Sequence, residues 1–584
     1  MNGIPHNFIS YGRQVASGAK QIKRLNLSSL RKVFSLMGKK EKITLLTLLA
    51  IATVGFLWSV KNFYHSATVP APSFGGSYSE GVLGQPNYIN PVLAYQENDL
   101  SLVRLIFSGL YKYDGQGNLI PDLAESLPQI SEDQKQYTVA LKKNAQWHNG
   151  KIFNAGDVVF TILTIKDPNF KSPLRSSWAS TNVEKLDDFT LRFTTKEVSG
   201  PFINNLTLPI LSESLWGKTN PGAFALSESN LKAIGTGFFA VKEIKKLSSG
   251  KVQSITLESF SGHFAGKAKI DEITLKFYDQ PEDLINALHS REIEGFGYLS
   301  SGENLNLDPQ RESVNLLKLP LPQYQVVFFN YENKHLKEQR VRAALSKLVS
   351  RGEILQSAWR GNAKIAYSLF DFYSGSQNGR ANSRKSDLIE AMNLLEGTGY
   401  KKNLGNGFWE KNKEALELRL FTNDFLPNAR AAESLAQNFK NFGIKIVLNI
   451  VPNKQLSDNY IKPRNFDILV FTQKFGPDPD PFAFWHSSQT KDPGLNLSGF
   501  KNLEADKLLT AARTTADQEV RQEKYEQLDG LLKAQMPVVF LNQAVYTYAL
   551  DKNIKGASMT KLYDASNRFF DAPNWYMAEN RVFK

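Results

Sequence analysis

Residues 416–450 read LELRLFTNDFLPNARAAESLAQNFKNFGIKIVLNI. Leu416, Leu418 and Leu420 alternate with polar positions, the period of a half-buried strand. Ala432, Leu435, Phe439 and Phe442 then recur at helical spacing, and Gly443 stands where a C-terminal glycine cap belongs. Ile444, Ile446, Leu448 and Ile450 resume the alternation, and Phe466 to Phe471 supply another strand. Strand, helix, strand, strand is the grammar of an α/β lobe.

The same two periods continue outward. Tyr137/Val139/Leu141, Phe189/Leu191/Phe193 and Ile273/Leu275/Phe277 read as strands. Val341/Ala344/Leu345/Leu348 and Leu388/Ala391/Met392/Leu395 read as helices, the second with Gly397 as its expected cap. At 584 residues, 42% apolar and 22% charged, the chain has ordinary globular composition and length for about two to four domains. It contains no cysteine, which excludes disulfides, thiolate metal sites and cysteine nucleophiles. Stability must come from a large core.

Near the N-terminus, Ile43 to Val60 holds no charged side chain. At 1.5 Å per residue this run spans roughly 27 Å, close to the hydrocarbon thickness of a bilayer. Arg13, Lys20, Lys23, Arg24, Arg31, Lys32, Lys39, Lys40 and Lys42 precede it against one acid, Glu41. The positive-inside rule therefore keeps residues 1–42 cytoplasmic and puts everything after Val60 outside. A cleaved secretory signal is the competing reading. Against it stand the long basic region and the want of a small-x-small site, since Val69-Pro70-Ala71 is followed by Pro72. A permanent signal anchor is expected, single-pass in the cell membrane, with the remainder periplasmic or on the cell surface. Ile22, Leu25, Leu30, Val33, Phe34 and Met37 fit a helix lying on an anionic leaflet, and equally a solvated basic tail. Of the net charge of +13, only +5 remains beyond residue 42, so nucleic acid is not an expected partner. Pro70, Pro72, Gly75 and Gly76 mark a spacer.

Catalytic signatures are missing. There is no H-E-x-x-H and no phosphate-binding G-x-x-x-x-G-K-[ST]. The histidines at 6, 65, 148, 263, 289, 335 and 486 lack metal-ligand spacing. S-x-x-K occurs at Ser248–Lys251 and Ser498–Lys501, without the partner motifs that a penicillin-binding enzyme requires. No enzyme activity and no cofactor are expected.

A run of motifs then falls in order: Gly84-Gln85-Pro86 with Asn90-Pro91, Asp99 to Tyr113 (DLSLVRLIFSGLYKY), Leu119 to Leu127, Trp147-His148-Asn149-Gly150-Lys151, Ala155-Gly156-Asp157-Val158, and Ile234-Gly235-Thr236-Gly237-Phe238. Val327 to Asn330, Gln339 to Ser346, Leu394 to Tyr400, Gly476-Pro477-Asp478-Pro479-Asp480-Pro481, Asn496 to Phe500, and Arg521 to Tyr525 ahead of Met536-Pro537 continue it. Together they resemble the extracellular solute-binding proteins of family 5, the peptide-, dipeptide- and nickel-binding receptors of ABC importers. The resemblance covers roughly residues 76–555 and departs from the family at Phe238, where proline is usual.

Most of these residues read as structural: Gly235 and Gly237 for a tight backbone, Asp157 as cap of a helix whose apolar face includes Val158, Phe160 and Leu163, Trp147 as core, and His148 as a hydrogen-bonded strand end. Phe471 to Ser488 differs. Two carboxylates in a Pro-rich loop followed by Phe482, Phe484 and Trp485 make a ligand rim. The resemblance implies an aspartate here that pairs with a peptide's α-ammonium. The relatives' usual acid falls near Pro477, so the duty passes to Asp478, to Asp480, or is lost. Turn residues alone is the other reading of the two aspartates.

The resemblance implies an α/β, periplasmic-binding-protein-like type II two-lobed fold with an extra inserted subdomain, preceded by one transmembrane helix. The expected parts are a basic segment 1–42, an anchor 43–60, a linker 61–75, a first lobe 76–110, 235–318 and 538–584, an inserted subdomain 111–234, and a second lobe 319–537. Phe569, Phe570, Trp575 and Tyr576 are expected to pack onto the first lobe. The implied function is capture of oligopeptides by hinge closure, as a monomer, for delivery to ABC permease subunits and their ATPase. Expected pocket residues are Gln85, Asn90, Tyr324, Phe475, Asp478, Asp480 and Trp485. The same fold holding an oligosaccharide or metal chelate, and a surface sensor or enzyme, remain as alternatives.

Overall fold

The structure, a computed structural model, describes residues 34–114, 117–299, 307–311, 313–374 and 384–583. Most of the basic segment expected at 1–42 thus lies outside the described residues. Two compact units are present, and Ser73–Ala578 forms the larger.

The smaller unit is built on helix α1 (Lys39–Ala67), of whose 29 residues none is buried. Uninterrupted apolar sequence keeps it helical, and the hydroxyls of Thr44, Thr47 and Thr53 donate to the carbonyls four residues back, at 3.0, 2.8 and 2.7 Å. The helix leads directly into a strand, Thr68–Pro72, which pairs antiparallel with Glu579–Phe583. Arg581 reinforces the ribbon, donating to Thr68 Oγ1 (2.8 Å), Thr68 O (2.8 Å) and His65 O (3.0 Å). The expected linker 61–75 therefore contains the last turns of α1 and a paired strand. Residues 579–583, expected in the first lobe, pair with that strand instead. Proline is tolerated here because a two-stranded ribbon has only edges.

In the larger unit one mixed sheet carries the fold. Its strands are β1 (Ser77–Leu83), β2 (Phe239–Lys246), β3 (Val252–Ser259), β4 (Glu272–Tyr278), β5 (Gly295–Leu299), β6 (Val314–Phe329), β7 (Glu417–Asn423), β8 (Lys445–Val451), β9 (Ile468–Lys474) and β10 (Val538–Asp551). The spatial order is β8-β7-β9-β6-β10-β5-β1-β4-β3-β2, with Ala363–Ile365 pairing beside β10. Parallel pairs (β7 with β8 and β9, β1 with β4 and β5) lie toward the two ends, and the long antiparallel pair β6 and β10 joins them. Along β10 every residue but the last is buried, as a strand covered on both faces must be. This is a two-lobed α/β fold.

The ladder between β6 and β10 is interrupted. Pro320 faces Val545, and the next pair is Tyr324 with Gln543. Two prolines that cannot donate sit in this bulge, whose carbonyls are used elsewhere. Pro320 O accepts the Leu562 N–H (3.1 Å), Leu321 O the Gln543 side-chain amide (3.0 Å), and Pro322 O the Phe475 N–H (2.8 Å).

Of the helices, α2 spans Glu97–Ile106, α3 Ala155–Lys166, α4 Leu426–Phe442, α5 Leu503–Arg513 and α6 Gln518–Gln535. α4 is the helix read from 416–450, ended by Gly443 in the left-handed region (φ 99°). The helix ending at Glu396 behaves differently, since its left-handed glycine is Gly399 (φ 88°) rather than Gly397. Within the segment 111–234 a four-stranded antiparallel sheet runs Gln129–Ile130, Gln136–Ala140, Thr190–Thr195, Thr181–Asp187. α3 packs nearby, with Asn154 as its N-cap and Asp157 answering from the third position. Its buried face is Ala155, Val158, Thr161, Ile162 and Ile165, while Leu163 is exposed and Phe160 half-buried. Positions 158, 160 and 163 do not share one helical face, which is why that expectation failed.

Gly235 and Gly237 lie against the end of α2. A Cβ on Gly235 would stand 1.9 Å from Ile106 O, so only glycine fits. His148 is bonded to the same crossing, its two ring nitrogens 2.9 Å from Gly237 O and 3.2 Å from Gly235 N. Burial pushes its pKa down to about 4. Trp147 is core, as are Phe569 and Trp575, the latter edge-on to Tyr78 at 5.6 Å.

Candidate functional site

β9 ends at Lys474, and Phe475 extends its pairing by the bond to Pro322 before the chain enters Gly476-Pro477-Asp478-Pro479-Asp480-Pro481. Alternating prolines remove every second donor and fix φ, so the loop is rigid and cannot continue the sheet. Asp478 Oδ1 accepts the Asp480 N–H (2.9 Å) and a bond from Arg521 Nη2 (2.6 Å). Asp478 Oδ2 accepts a side-chain N–H of Asn204 (2.9 Å), a residue 274 positions earlier in the chain. The carboxylate thus bridges helix α6 and the segment 111–234.

Arg521 is buried on α6, with its Nε donating to Ala512 O (3.2 Å) and Nη2 also to the Tyr525 hydroxyl (2.9 Å). Burial alone would lower its pKa, but Asp478 and Tyr525 outweigh that and hold it above the ordinary value. Asp480 Oδ1 accepts the Phe482 N–H (3.1 Å), and Oδ2 lies 3.1 Å from Arg513 Nε. Burial raises its pKa against the opposing pull of Arg513.

Aromatic side chains surround this pair of acids. The Tyr113 hydroxyl donates to Asn204 Oδ1, and its ring lies 5.0 Å from Tyr563. Phe372 stands 5.6 Å from Tyr563, whose hydroxyl donates to Gly117 O (3.3 Å). The Tyr373 hydroxyl donates to Gly476 O in the acidic loop itself (2.6 Å). Two backbone contacts close the seam further: Gly200 N–H to Arg513 O (2.9 Å) and Ala516 N–H to Gln134 Oε1 (3.2 Å). Residues from four stretches of chain, near 113–204, 372–373, 478–525 and 561–563, therefore meet around Asp478, Lys561 Nζ lying 5.5 Å over the Phe372 ring.

The sequence-derived residues fall in three places. Asp478 and Asp480 are in this seam. Tyr324, Phe475 and Trp485 are buried in one apolar cluster behind it, Tyr324 5.9 Å from Phe475 and its hydroxyl accepting the Phe372 N–H (3.1 Å). Trp485 Nε1 is buried with no partner among the described residues. Gln85 and Asn90 lie elsewhere: Gln85 Oε1 accepts the Val252 N–H (2.9 Å), and the fully buried Asn90 bonds Asn230 (3.0 Å) and the Val92 N–H (2.9 Å). Asn204, Tyr113, Tyr373 and Tyr563 were not anticipated. Arg521 stood in a recognised motif, and its i, i+4 spacing from Tyr525 already placed both on one helical face. Among the described residues no three His, Asp or Glu side chains come together as a metal-binding group.

Comparison with known proteins matches this framework. The family model described as "Bacterial extracellular solute-binding proteins, family 5 Middle" matches residues 118–494. The oligopeptide-binding protein AppA of Bacillus subtilis is 27% identical over 522 residues, covering 87% of this chain and 93% of its own. The crystal structure of the ABC transporter substrate-binding protein CtaP from Listeria monocytogenes is 26% identical with a TM-score of 0.71, covering 86% of this chain and 99% of that one. NikZ from Campylobacter jejuni, solved in complex with Ni(L-His), shares the fold at a TM-score of 0.67 and 24% identity, with coverage of 86% and 99%.

Proposed function

Since the chain belongs to the bacterial extracellular solute-binding proteins of family 5, a family of substrate-binding receptors, we propose that it captures oligopeptides outside the cytoplasm and passes them to an ABC permease and its ATPase. The arrangement of Asp478 carries this reading. Oδ1 is committed to Arg521, whereas Oδ2, among the described residues, is held across the seam by the neutral amide of Asn204. An ammonium enclosed between lobes loses its water and requires a charged acceptor. It can take Oδ2 from Asn204 at the loss of one neutral hydrogen bond, leaving the Arg521 pair intact. Asp480, already beside Arg513, is the less available acid.

The peptide backbone would be satisfied by main-chain N–H and C=O groups as in an added strand, with side chains in wet pockets. Tyr113, Tyr373 and Tyr563 supply adaptable walls for the first residues. Tyr324, Phe475 and Trp485 support the loop from behind, and Gln85 and Asn90 brace the first lobe. Because the ligand bridges both sides only when they approach, about 5.5 kcal/mol of differential affinity is enough to take the closed state from 1:99 to 99:1.

Calorimetric titration of the full chain in detergent with tri- to pentapeptides tests the reading. Free-amine peptides should bind, and their N-acetylated forms about 10- to 100-fold more weakly. Equal affinity for both forms would overturn it.

The receptor is further proposed to remain anchored. α1 is about 44 Å long, with Lys39, Lys40 and Lys42 at its start and Trp58, Phe63 and Tyr64 toward its end, the distribution expected of a cytoplasmic entry and an aromatic interface belt. The strand that follows Ala67 is paired, which favours retention over cleavage. Intact mass of the membrane-bound protein beginning before residue 39 is the expected result.

A further inference from the structure

A small solvent-open recess lies where α2 meets the segment 107–122 and the crossing at Gly237, lined also by Phe569, Phe570 and Pro573. Arg104, in the last turn of α2, lines it. Its guanidinium carbon lies 4.7 Å over the Phe570 ring, but its Nε is buried with no partner, and no ion pair or side-chain hydrogen bond ties it to a described residue. A ring face satisfies the charge from above and leaves the in-plane donors unused.

The acids within electrostatic reach are engaged. Asp122, in the recess wall, pairs with Lys112 at 2.9 Å, and its carbonyl accepts Lys142 Nζ. Asp564 Oδ1 accepts both the backbone N–H (2.8 Å) and the hydroxyl of Ser566. Lys112 Nζ lies 5.4 Å over Phe238 and Lys142 Nζ 4.8 Å over Phe264, so both ammonium groups face this region. His263, stacked on Phe238 at 3.6 Å, has a buried and unpartnered Nε2. Burial first, then Lys112 and Lys142, push its pKa down to about 3. The neighbourhood resists one more cation.

We propose that this recess is a carboxylate subsite, in which Arg104 grips both oxygens of a small organic acid or of the acidic end of a larger solute. A guanidinium fork matches a carboxylate in two parallel bonds, which a halide cannot accept in that geometry. Lys112 lines the recess and the next residue, Tyr113, meets Asn204 in the seam, so the subsite adjoins the seam. The assignment does not require the ligand to be a peptide.

The test follows the thermal unfolding midpoint of the full chain in detergent with sodium succinate or inorganic phosphate, against chloride at matched ionic strength. Succinate should raise the midpoint saturably, by about 1 °C at tenfold its dissociation constant, and more than phosphate does. Arg104→Gln should abolish the rise, while Arg104→Lys, which keeps the charge and loses the fork, should retain a reduced one. No succinate-specific rise in the native chain, an undiminished rise in either variant, or phosphate matching succinate would overturn the proposal. Trialanine and its C-terminal amide separate the two sources. A preference for the acid that Arg104→Gln removes assigns a ligand's own terminus, and no preference assigns free organic acids. The succinate arm uses no peptide, so its failure is distinct from failure of the peptide reading.

Discussion

Two arginine–carboxylate pairs in this protein have the same chemistry and opposite settings. Glu80, on β1, is fully buried, with Arg568 Nε donating to Oε1 (2.7 Å) and the hydroxyls of Tyr78 (3.0 Å) and Tyr548 (2.6 Å) donating to Oε2. Its partners sit in the sheet and the adjoining C-terminal segment, which have no reason to separate. Asp478, with 12% of its side chain exposed, has one oxygen held by its own lobe and the other by a residue across a seam. A pair enclosed on all sides is architecture, whereas a pair with one replaceable neutral partner is available for exchange.

The contrast can be broken by mutation. Glu80→Ala strands Arg568 in the interior, and urea unfolding should register a loss of about 3–5 kcal/mol. Asp478→Ala should cost less, about 1–3 kcal/mol, because Arg521 keeps Tyr525 and Ala512 and the rim admits water. If both losses are equal, the seam is as closed to exchange as the core. For ligand, the order reverses. Asp478→Asn should weaken free-amine peptides about 10- to 100-fold by titration calorimetry and leave N-acetylated ones unchanged. Asn204→Ala, which removes the competing amide, should strengthen the same peptides by about two- to tenfold.

The smallest effect concerns Asp480. Burial raises its folded-state pKa, so the folded form holds a proton that the unfolded chain releases first. Its favourable contribution is complete below the unfolded pKa, about 3.9, and is lost as pH rises through the raised value. Asp480→Asn should therefore steepen the acid limb of the stability profile and slightly stabilise the protein at pH 7. A flatter limb would mean that Arg513 outweighs burial.

How far these features were legible depended on their range. The lobe at 416–450 was readable because its strand and helix periods, and the Gly443 cap, are written within a few residues of one another. The family followed from motif order, which carried the fold and the acidic loop. The pairing of Thr68–Pro72 with Glu579–Phe583 left no local mark, since each segment alone reads as irregular and only their meeting makes a ribbon. Asn204 was unreadable for the same reason, as one asparagine among many until the fold brings it to Asp478. Trp485 reads as rim because an aromatic near an acidic loop suits either face of it, and Tyr324 is expected only as a pocket residue. Burial, which assigns them to the cluster behind, is a property of the assembled lobes.

The three carbonyls at 320–322 have a mechanical meaning. One holds Leu562, beside the Lys561 and Tyr563 wall, and another holds Phe475, from which the Asp478 loop departs. Both sides of the seam therefore hang from carbonyls two residues apart, at a gap in the longest ladder of the sheet. A gap concentrates flexure where an unbroken ladder would spread it. Any rotation about this bulge would carry both segments with it, because their attachments are separated by only two residues of chain.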